Sequence, residues 1–224
     1  MSITLVLVVL TCLVSIGGFS RPAIIEDLIF YPPAIKHRRQ YYRFITHGFI
    51  HADPGHLIFN MIALYSFGTN LEDLFSFSCI FAGWGKLLYV LLYFSALVVA
   101  SLPDYFKYRD SDHFRSLGAS GAVSAIIFST IIFLPQTHIG FIFLPVGIPG
   151  YVFGFLYLII SAYLSRRGGG RVNHGAHFWG AAYGILFTLL ACQAMAIGFD
   201  VYENFMLQLH SSTDVTIIPC DLDR

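Results

Sequence analysis

Two polar residues stand at the mouths of long apolar runs in this chain. Ser120, in Gly118-Ala119-Ser120-Gly121, opens the run that begins Ala122-Val123, and His177, in Ala176-His177-Phe178-Trp179-Gly180, lies near the start of another. In hydrocarbon a polar side chain is costly, so it faces a partner helix or a wet cavity. A serine becomes a nucleophile when a neighbouring imidazole takes its proton, and glycines beside both residues would let them approach. The soluble-hydrolase elbow Gly-x-Ser-x-Gly fails here because position 122 is alanine, and no Ser-x-x-Lys contains Ser120. No carboxylate accompanies either residue within its run, which favours a two-member Ser–His pair over a triad. The plainer reading is that Ser120 bonds back to its own helix and the glycines only serve packing.

A second cluster supplies polar donors. His56 and Asn60 are four residues apart and share a helix face. Acyl transfer needs donors aimed at a developing oxyanion, and losing one costs roughly 2.7–4 kcal/mol. The Asn60 amide, the His56 ring and the Ser120 backbone N–H could provide them, helped by the free N–H groups of a helix starting near Ser120. His47 and His51 precede them at helical spacing. A metal site would need further ligands, and Asp53 is the one acidic neighbour, so these histidines read better as hydrogen-bonding groups that hold a loop. No metal and no cofactor is expected.

The elements that must position these groups follow from composition. The 224 residues are 56% hydrophobic and 12% charged with zero net charge, and mean hydropathy is +0.69. Too little polar surface exists for a soluble globule, and no net charge draws nucleic acid. The four cysteines, Cys12, Cys79, Cys192 and Cys220, lack metal-ligand spacing. Six runs approach the roughly 17–25 residues that cross a bilayer, at about 3–19, 55–71, 87–102, 119–134, 148–164 and 176–199. The fourth is short, which implies a helix that starts below the membrane surface. No basic residue precedes Arg21, so the first run reads as a spanning helix rather than a cleaved leader.

Small residues recur where the two chemical residues must meet. Ala176, Gly180 and Gly184 lie at four-residue spacing on the sixth run, and Gly118, Gly121, Ala122 and Ala125 flank Ser120 on the fourth. Such faces let two helices pack closely. Loop 1 is long, basic and aromatic, with apolar residues suited to the bilayer edge. Loop 5, Arg166-Arg167-Gly168-Gly169-Gly170-Arg171, reads as a flexible tether, and the polar stretch 201–224 as a mobile tail after a domain of residues 1–200. All of the 13 Lys and Arg except Lys86 and Arg224 fall on the side of loops 1, 3 and 5, which by the positive-inside rule would be cytoplasmic.

Together the segments Tyr42-Arg43-Phe44-Ile45-Thr46-His47-Gly48-Phe49-Ile50-His51, His56-Leu57-Ile58-Phe59-Asn60, Gly118-Ala119-Ser120-Gly121 and Ala176-His177-Phe178-Trp179-Gly180 with Gly184 resemble the rhomboid family of intramembrane serine proteases. The resemblance covers residues from about 40 to 185. It implies an all-α membrane protein, a bundle of six transmembrane helices with a long interfacial loop 1. By the same resemblance Ser120 is the nucleophile and His177 the general base and later acid. His56, Asn60 and the Ser120 backbone then form the oxyanion hole, Gly118, Gly121, Gly180 and Gly184 support the site, and Arg43, His47 and Glu72 brace loop 1. Loop 5 and the fifth helix border the substrate's access route. The substrates it implies are single-pass transmembrane proteins in the lipid bilayer, cut in or near their spans.

The resemblance also implies an active site near the non-cytoplasmic face, against the distribution of Lys and Arg, and the absence of an Arg- and Ser-rich leader favours a bacterial cytoplasmic (inner) membrane. One position departs from the family. Many members carry an aromatic residue four after the serine, stacked on the catalytic histidine, and here that residue is Ser124. The missing ring would have to come from elsewhere, with Trp179 or Tyr183 as the nearest choices in sequence. The competing readings are a non-catalytic rhomboid-like protein that binds or escorts transmembrane helices, and a small transporter, for which no inverted repeat speaks.

Overall fold

A computed structural model describes residues 2–141, 144–167 and 172–210. In chain order the elements are α1 (Ile3–Ser20), α2 (Pro22–Leu28), α3 (Pro32–Arg38), α4 (Arg43–Thr46), a 3-10 turn (His47–Phe49), α5 (Pro54–Ser76), α6 (Ser78–Phe81), α7 (Gly85–Tyr108) and α8 (Ser120–Phe133). A two-stranded antiparallel hairpin follows, β1 (His138–Phe141) and β2 (Leu144–Pro149), then α9 (Gly150–Arg167), α10 (His174–Met195) and α11 (Val201–His210). The six apolar runs are α1, α5, α7, α8, α9 and α10, so the expected all-α membrane bundle is the architecture, with the small hairpin and several short helices added to it. Helices α1, α7 and α10 are each long and apolar enough to cross a membrane, with hydropathies of 2.4, 1.8 and 1.4.

Aromatic and aliphatic side chains such as Phe75, Phe81, Tyr89 and Tyr93 fill the centre of the bundle, while α1 and α10 turn mainly small and polar residues inward, as close helix packing in hydrocarbon favours. On α1 the buried residues are Thr4, Leu7, Thr11, Ser15 and Gly18, one helical stripe, while Leu5, Val9, Leu13 and Ile16 are exposed. Helix α10 buries Gly180, Ala181, Gly184, Thr188 and Cys192 in the same way. Helix α8 is buried almost all round, packed by α5, α7 and α10. At 14 residues it is about 21 Å long at 1.5 Å per residue, against about 30 Å of hydrocarbon. A helix of this length leaves one or both of its ends inside the hydrocarbon layer.

Two expectations are corrected. Glu72 does not brace loop 1. It accepts hydrogen bonds from the Ser2 hydroxyl at 2.7 Å, the Ile3 and Thr4 amides at 2.8 and 3.0 Å and the Thr4 hydroxyl at 2.9 Å, so its carboxylate ties α5 to the open N-terminus of α1. The stretch expected as a mobile tail begins with α11. Asp200 caps it by accepting the Tyr202 and Glu203 amides at 2.8 and 2.9 Å. Its Asn204 and Gln208 side chains donate to the Phe133 carbonyl, at 2.9 and 2.7 Å, and so close the C-terminal end of α8. Residues 211–224 of that stretch and residues 168–171 of the expected tether lie outside the described residues.

Candidate active site

The site rests on the crossing of α8 and α10. A Cβ added to Gly180 would stand 2.1 Å from the Gly121 carbonyl oxygen, and one on Gly184 would stand 2.3 Å from that of Ala125. The backbones are thus in direct contact, and Ser129 seals the crossing by donating to the Gly184 carbonyl at 3.2 Å. A Cβ on Gly121 would meet Ala100 of α7 at 2.7 Å and the Ala176 carbonyl at 3.5 Å. Residues 120–121 and 176–177 therefore lie side by side on the first turns of two helices, as the small-residue spacing predicts. Both Ser120 and His177 are half-buried. Among the described residues no hydrogen bond joins them, and catalytic hydrogen bonds commonly tighten only with substrate in place.

The loop before Ser120 is shaped around two histidines. Gly118 has a φ of 112°, and a Cβ there would lie 2.8 Å from His56 Cε1. Only glycine both takes this conformation cheaply and admits the ring. The Gly118 amide donates to the His47 carbonyl at 2.9 Å, which fixes where the chain turns into α8. The N–H groups of Ser120, Gly121 and Ala122 begin the helix and have no intrahelical acceptor.

The His56 amide donates to Asp53, the N-cap of α5, at 2.9 Å. Asn60 is buried and donates to the His56 carbonyl at 3.0 Å, which leaves one amide hydrogen for other work. A cavity of about 20 Å³ beside Ser120 is lined by His47, Ser101, Ser116 and Asn173 among others. That is room for about one water, with polar partners around it.

His51 joins the loop to the helix. Its Nε2 faces the Ala119 amide at 3.5 Å, and its Nδ1 lies 3.0 Å from the Ser15 hydroxyl, which donates to the Phe49 carbonyl at 2.9 Å. These roles agree when Nδ1 carries the proton, giving a neutral ring that takes the Ala119 amide. The His51 and His56 rings meet edge to face at 4.9 Å. Arg43 donates to the Glu26 and Ile29 carbonyls at 2.9 and 2.7 Å and to Gln40 at 2.7 Å, tying together parts of loop 1. His47 is buried edge-on against Phe30 at 5.5 Å.

These two loop histidines set a pH dependence. Burial pushes His51 down to about 3, with the nearby His56 adding to it, and pushes His47 down to about 4. An unfolded histidine titrates near 6.5, so the unfolded chain binds protons first as pH falls. Both rings contribute full stability above about pH 6.5 and lose it progressively toward about pH 4, by roughly 1.4 kcal/mol per pH unit and histidine. Thermal unfolding in detergent should show a flat midpoint above pH 7 and a fall below about pH 6. A midpoint unchanged down to pH 5 would refute the neutral, buried assignment.

Asn173, Asp104 and Tyr157 were not anticipated at the site. Asn173 caps α10 by accepting the Ala176 amide at 3.1 Å, and its own amide donates to Asp104 at 2.6 Å and Ser116 at 3.2 Å. This anchors the helix start that carries His177. The signal was present as an asparagine just before an apolar run, but residues of loop 5 hid it. The third is Tyr157 of α9, whose ring stacks on His177 at 6.2 Å between centroids and 18° between planes. The two rings expected there are elsewhere. Trp179 is exposed and packs on Phe178, and Tyr183 donates its hydroxyl to Ser95 at 2.7 Å. His174 meets His177 edge-on at 5.8 Å, and His56 lies within electrostatic reach of it.

The profile of the Rhomboid domain matches residues 38–194, a stretch that holds Ser120, His177, His56 and Asn60. Among curated proteins the chain is 31% identical over 144 residues to RHOMBOID-like protein 12, mitochondrial, of Arabidopsis thaliana, covering 62% of this chain and 43% of that protein. It is 34% identical over 112 residues to Rhomboid-like protein 15 of the same plant, 47% of this chain and 26% of the relative. It is 28% identical over 147 residues to the presenilin-associated rhomboid-like protein, mitochondrial, of Rattus norvegicus, 62% and 35% respectively. The chain spans less than half the length of each.

Proposed function

The chain belongs to the rhomboid family, and on that premise we propose that it is a serine endopeptidase that cuts single-pass transmembrane proteins in or near their spans. The observation that carries the proposal is the backbone contact of α8 and α10, which sets Ser120 beside His177 on facing first turns. His177 accepts the Ser120 proton as Oγ attacks the scissile carbonyl carbon. The oxyanion is held by the Ser120 N–H, the His56 ring and the free Asn60 amide hydrogen. Its collapse breaks the peptide C–N bond, His177 gives the proton to the leaving amine, and an acyl-Ser120 ester remains. Water, supplied through the small polar cavity, is deprotonated by His177 and attacks that ester, releasing the acid and restoring Ser120.

A substrate helix has its backbone hydrogen bonds satisfied internally and must unwind before a carbonyl reaches Oγ. Helix-loosening residues in a span therefore favour cleavage. The protease unit is residues 1–200, with 201–224 appended to it. The protein is a membrane protein, and the relatives whose names place them in mitochondria do not fit the expected bacterial cytoplasmic membrane. We place the site at the face away from the cytoplasm, against the basic loops.

A charged, membrane-impermeant fluorophosphonate tests both points in sealed vesicles of known orientation. It should label wild type from the non-cytoplasmic side, at Ser120, and label neither Ser120→Ala nor His177→Ala. Labelling from the other side alone would reverse the orientation. Absent labelling of wild type in detergent, together with retained binding of a transmembrane peptide, would favour the non-catalytic escort.

A further inference from the structure

The general base of a dyad must present one nitrogen to the nucleophile, so its ring plane has to be fixed. In a triad a carboxylate does this through a hydrogen bond. Here, among the described residues, no hydrogen bond reaches either nitrogen of His177. The ring is bounded by the edge of His174, on its own helix, at 5.8 Å and by the flat face of Tyr157, 18° from parallel. Tyr157 is itself held on several sides. Its hydroxyl lies 2.7 Å from the Ser124 hydroxyl, and its ring packs on Phe128 at 5.4 Å and Phe153 at 5.6 Å.

The helix that carries this ring is the loosely held one. α9 buries only Gly150, Gly154 and Ser161, while Tyr151, Phe155, Leu156, Ile159, Ile160 and Tyr163 are exposed. Tyr157 lies three residues after Gly154 and four before Ser161, on the inward side of α9. Ser124 is one helical turn after Ser120 on α8, so its hydroxyl pins the tyrosine to the helix of the nucleophile.

We propose that Tyr157 is the positioning residue for His177, and that the Ser124–Tyr157 contact makes alignment of the dyad conditional on α9 being docked against α8. This rests on the protease reading. An α9 that moves outward removes the stacked face from His177 and leaves the ring only its edge contact with His174 of the same helix until α9 returns. Tyr157 takes no part in proton transfer, and its hydroxyl serves only to seat the ring.

The test compares Tyr157→Phe, Tyr157→Leu, Ser124→Ala and the double variant Ser124→Phe with Tyr157→Ala, which moves a ring from α9 to α8. Turnover of a transmembrane substrate in detergent is measured with KM and the pH–rate profile. The His177 ring-proton resonances of histidine-labelled protein are recorded in parallel. Tyr157→Leu should lower kcat by about 10- to 100-fold with KM nearly unchanged, the scale expected for a misplaced catalytic group.

Tyr157→Phe and Ser124→Ala should lose much less, and the relocated ring should recover part of the loss. The His177 resonances should move in Tyr157→Leu, because the ring current is gone. Unchanged resonances, or a loss carried by KM alone, would overturn the proposal. Resonances that move in a wild type that neither cleaves nor labels would retain the stacking and remove the protease reading instead.

Discussion

Ser120→Ala and His177→Ala should each lower cleavage by about 10⁴- to 10⁶-fold, and the variant carrying both should lose little more. Members of one catalytic unit behave this way, because after the first is gone the second has nothing left to do. The residual rate would come from the oxyanion donors and from binding, which neither change touches. Stability should hardly move. Both side chains are half-buried, and among the described residues neither makes a side-chain hydrogen bond, so truncation leaves no orphaned partner. Purified variants compared by cleavage rate and by unfolding midpoint check both halves. Multiplicative losses would mean that the two residues act independently. Cleavage surviving Ser120→Ala would point to another hydroxyl, with Ser116 lining the same cavity.

The meeting of Ser120 and His177 at one helix crossing was legible because polar residues in apolar runs are rare, and small residues at four-residue spacing announce where two backbones can meet. Gly180 and Gly184 matter through their own helix period, which a sequence displays directly. The short fourth run likewise announced the short helix α8. Tyr157 could not be read in this way. Its partnership with His177 depends on the rotation of α9, and that helix is aromatic and aliphatic nearly all round, so no period singled the residue out. What marks it is a vacancy on another helix, the small Ser124, and linking the two takes tertiary contact.

Asn173 and Asp104 were missed for a different reason. Polar residues at helix ends are common, and only the distances of 2.6 and 3.1 Å show that they anchor α10. The α11 segment reads as a tail because the inward members of its helical pattern, Asn204 and Gln208, are polar.

Gly180→Ala should be among the most damaging single-methyl changes in the molecule. Its new Cβ would lie 2.1 Å from the Gly121 carbonyl oxygen, a backbone atom that cannot rotate away. The helices must part by about 1 Å to restore van der Waals contact. Overpacking typically costs about 1–3 kcal/mol and occasionally more, and contact with backbone on both sides puts this site at or beyond the upper end. The gain in helix propensity from glycine to alanine, at most about 1 kcal/mol, does not offset it. Gly184→Ala, with 2.3 Å to the Ala125 carbonyl, should behave alike.

Gly17→Ala supplies the control. Its Cβ would meet only Ile24 Cδ1 at 3.5 Å, so it should be neutral or stabilise by about 0.5–1 kcal/mol. The functional consequence separates packing from chemistry. Parting α8 from α10 moves Ser120 away from His177, so Gly180→Ala should lose turnover by a further 10²-fold or so at temperatures where it remains folded. If its activity instead tracked the folded fraction alone, the helix crossing would be a support for the bundle and the alignment of the dyad would be set elsewhere.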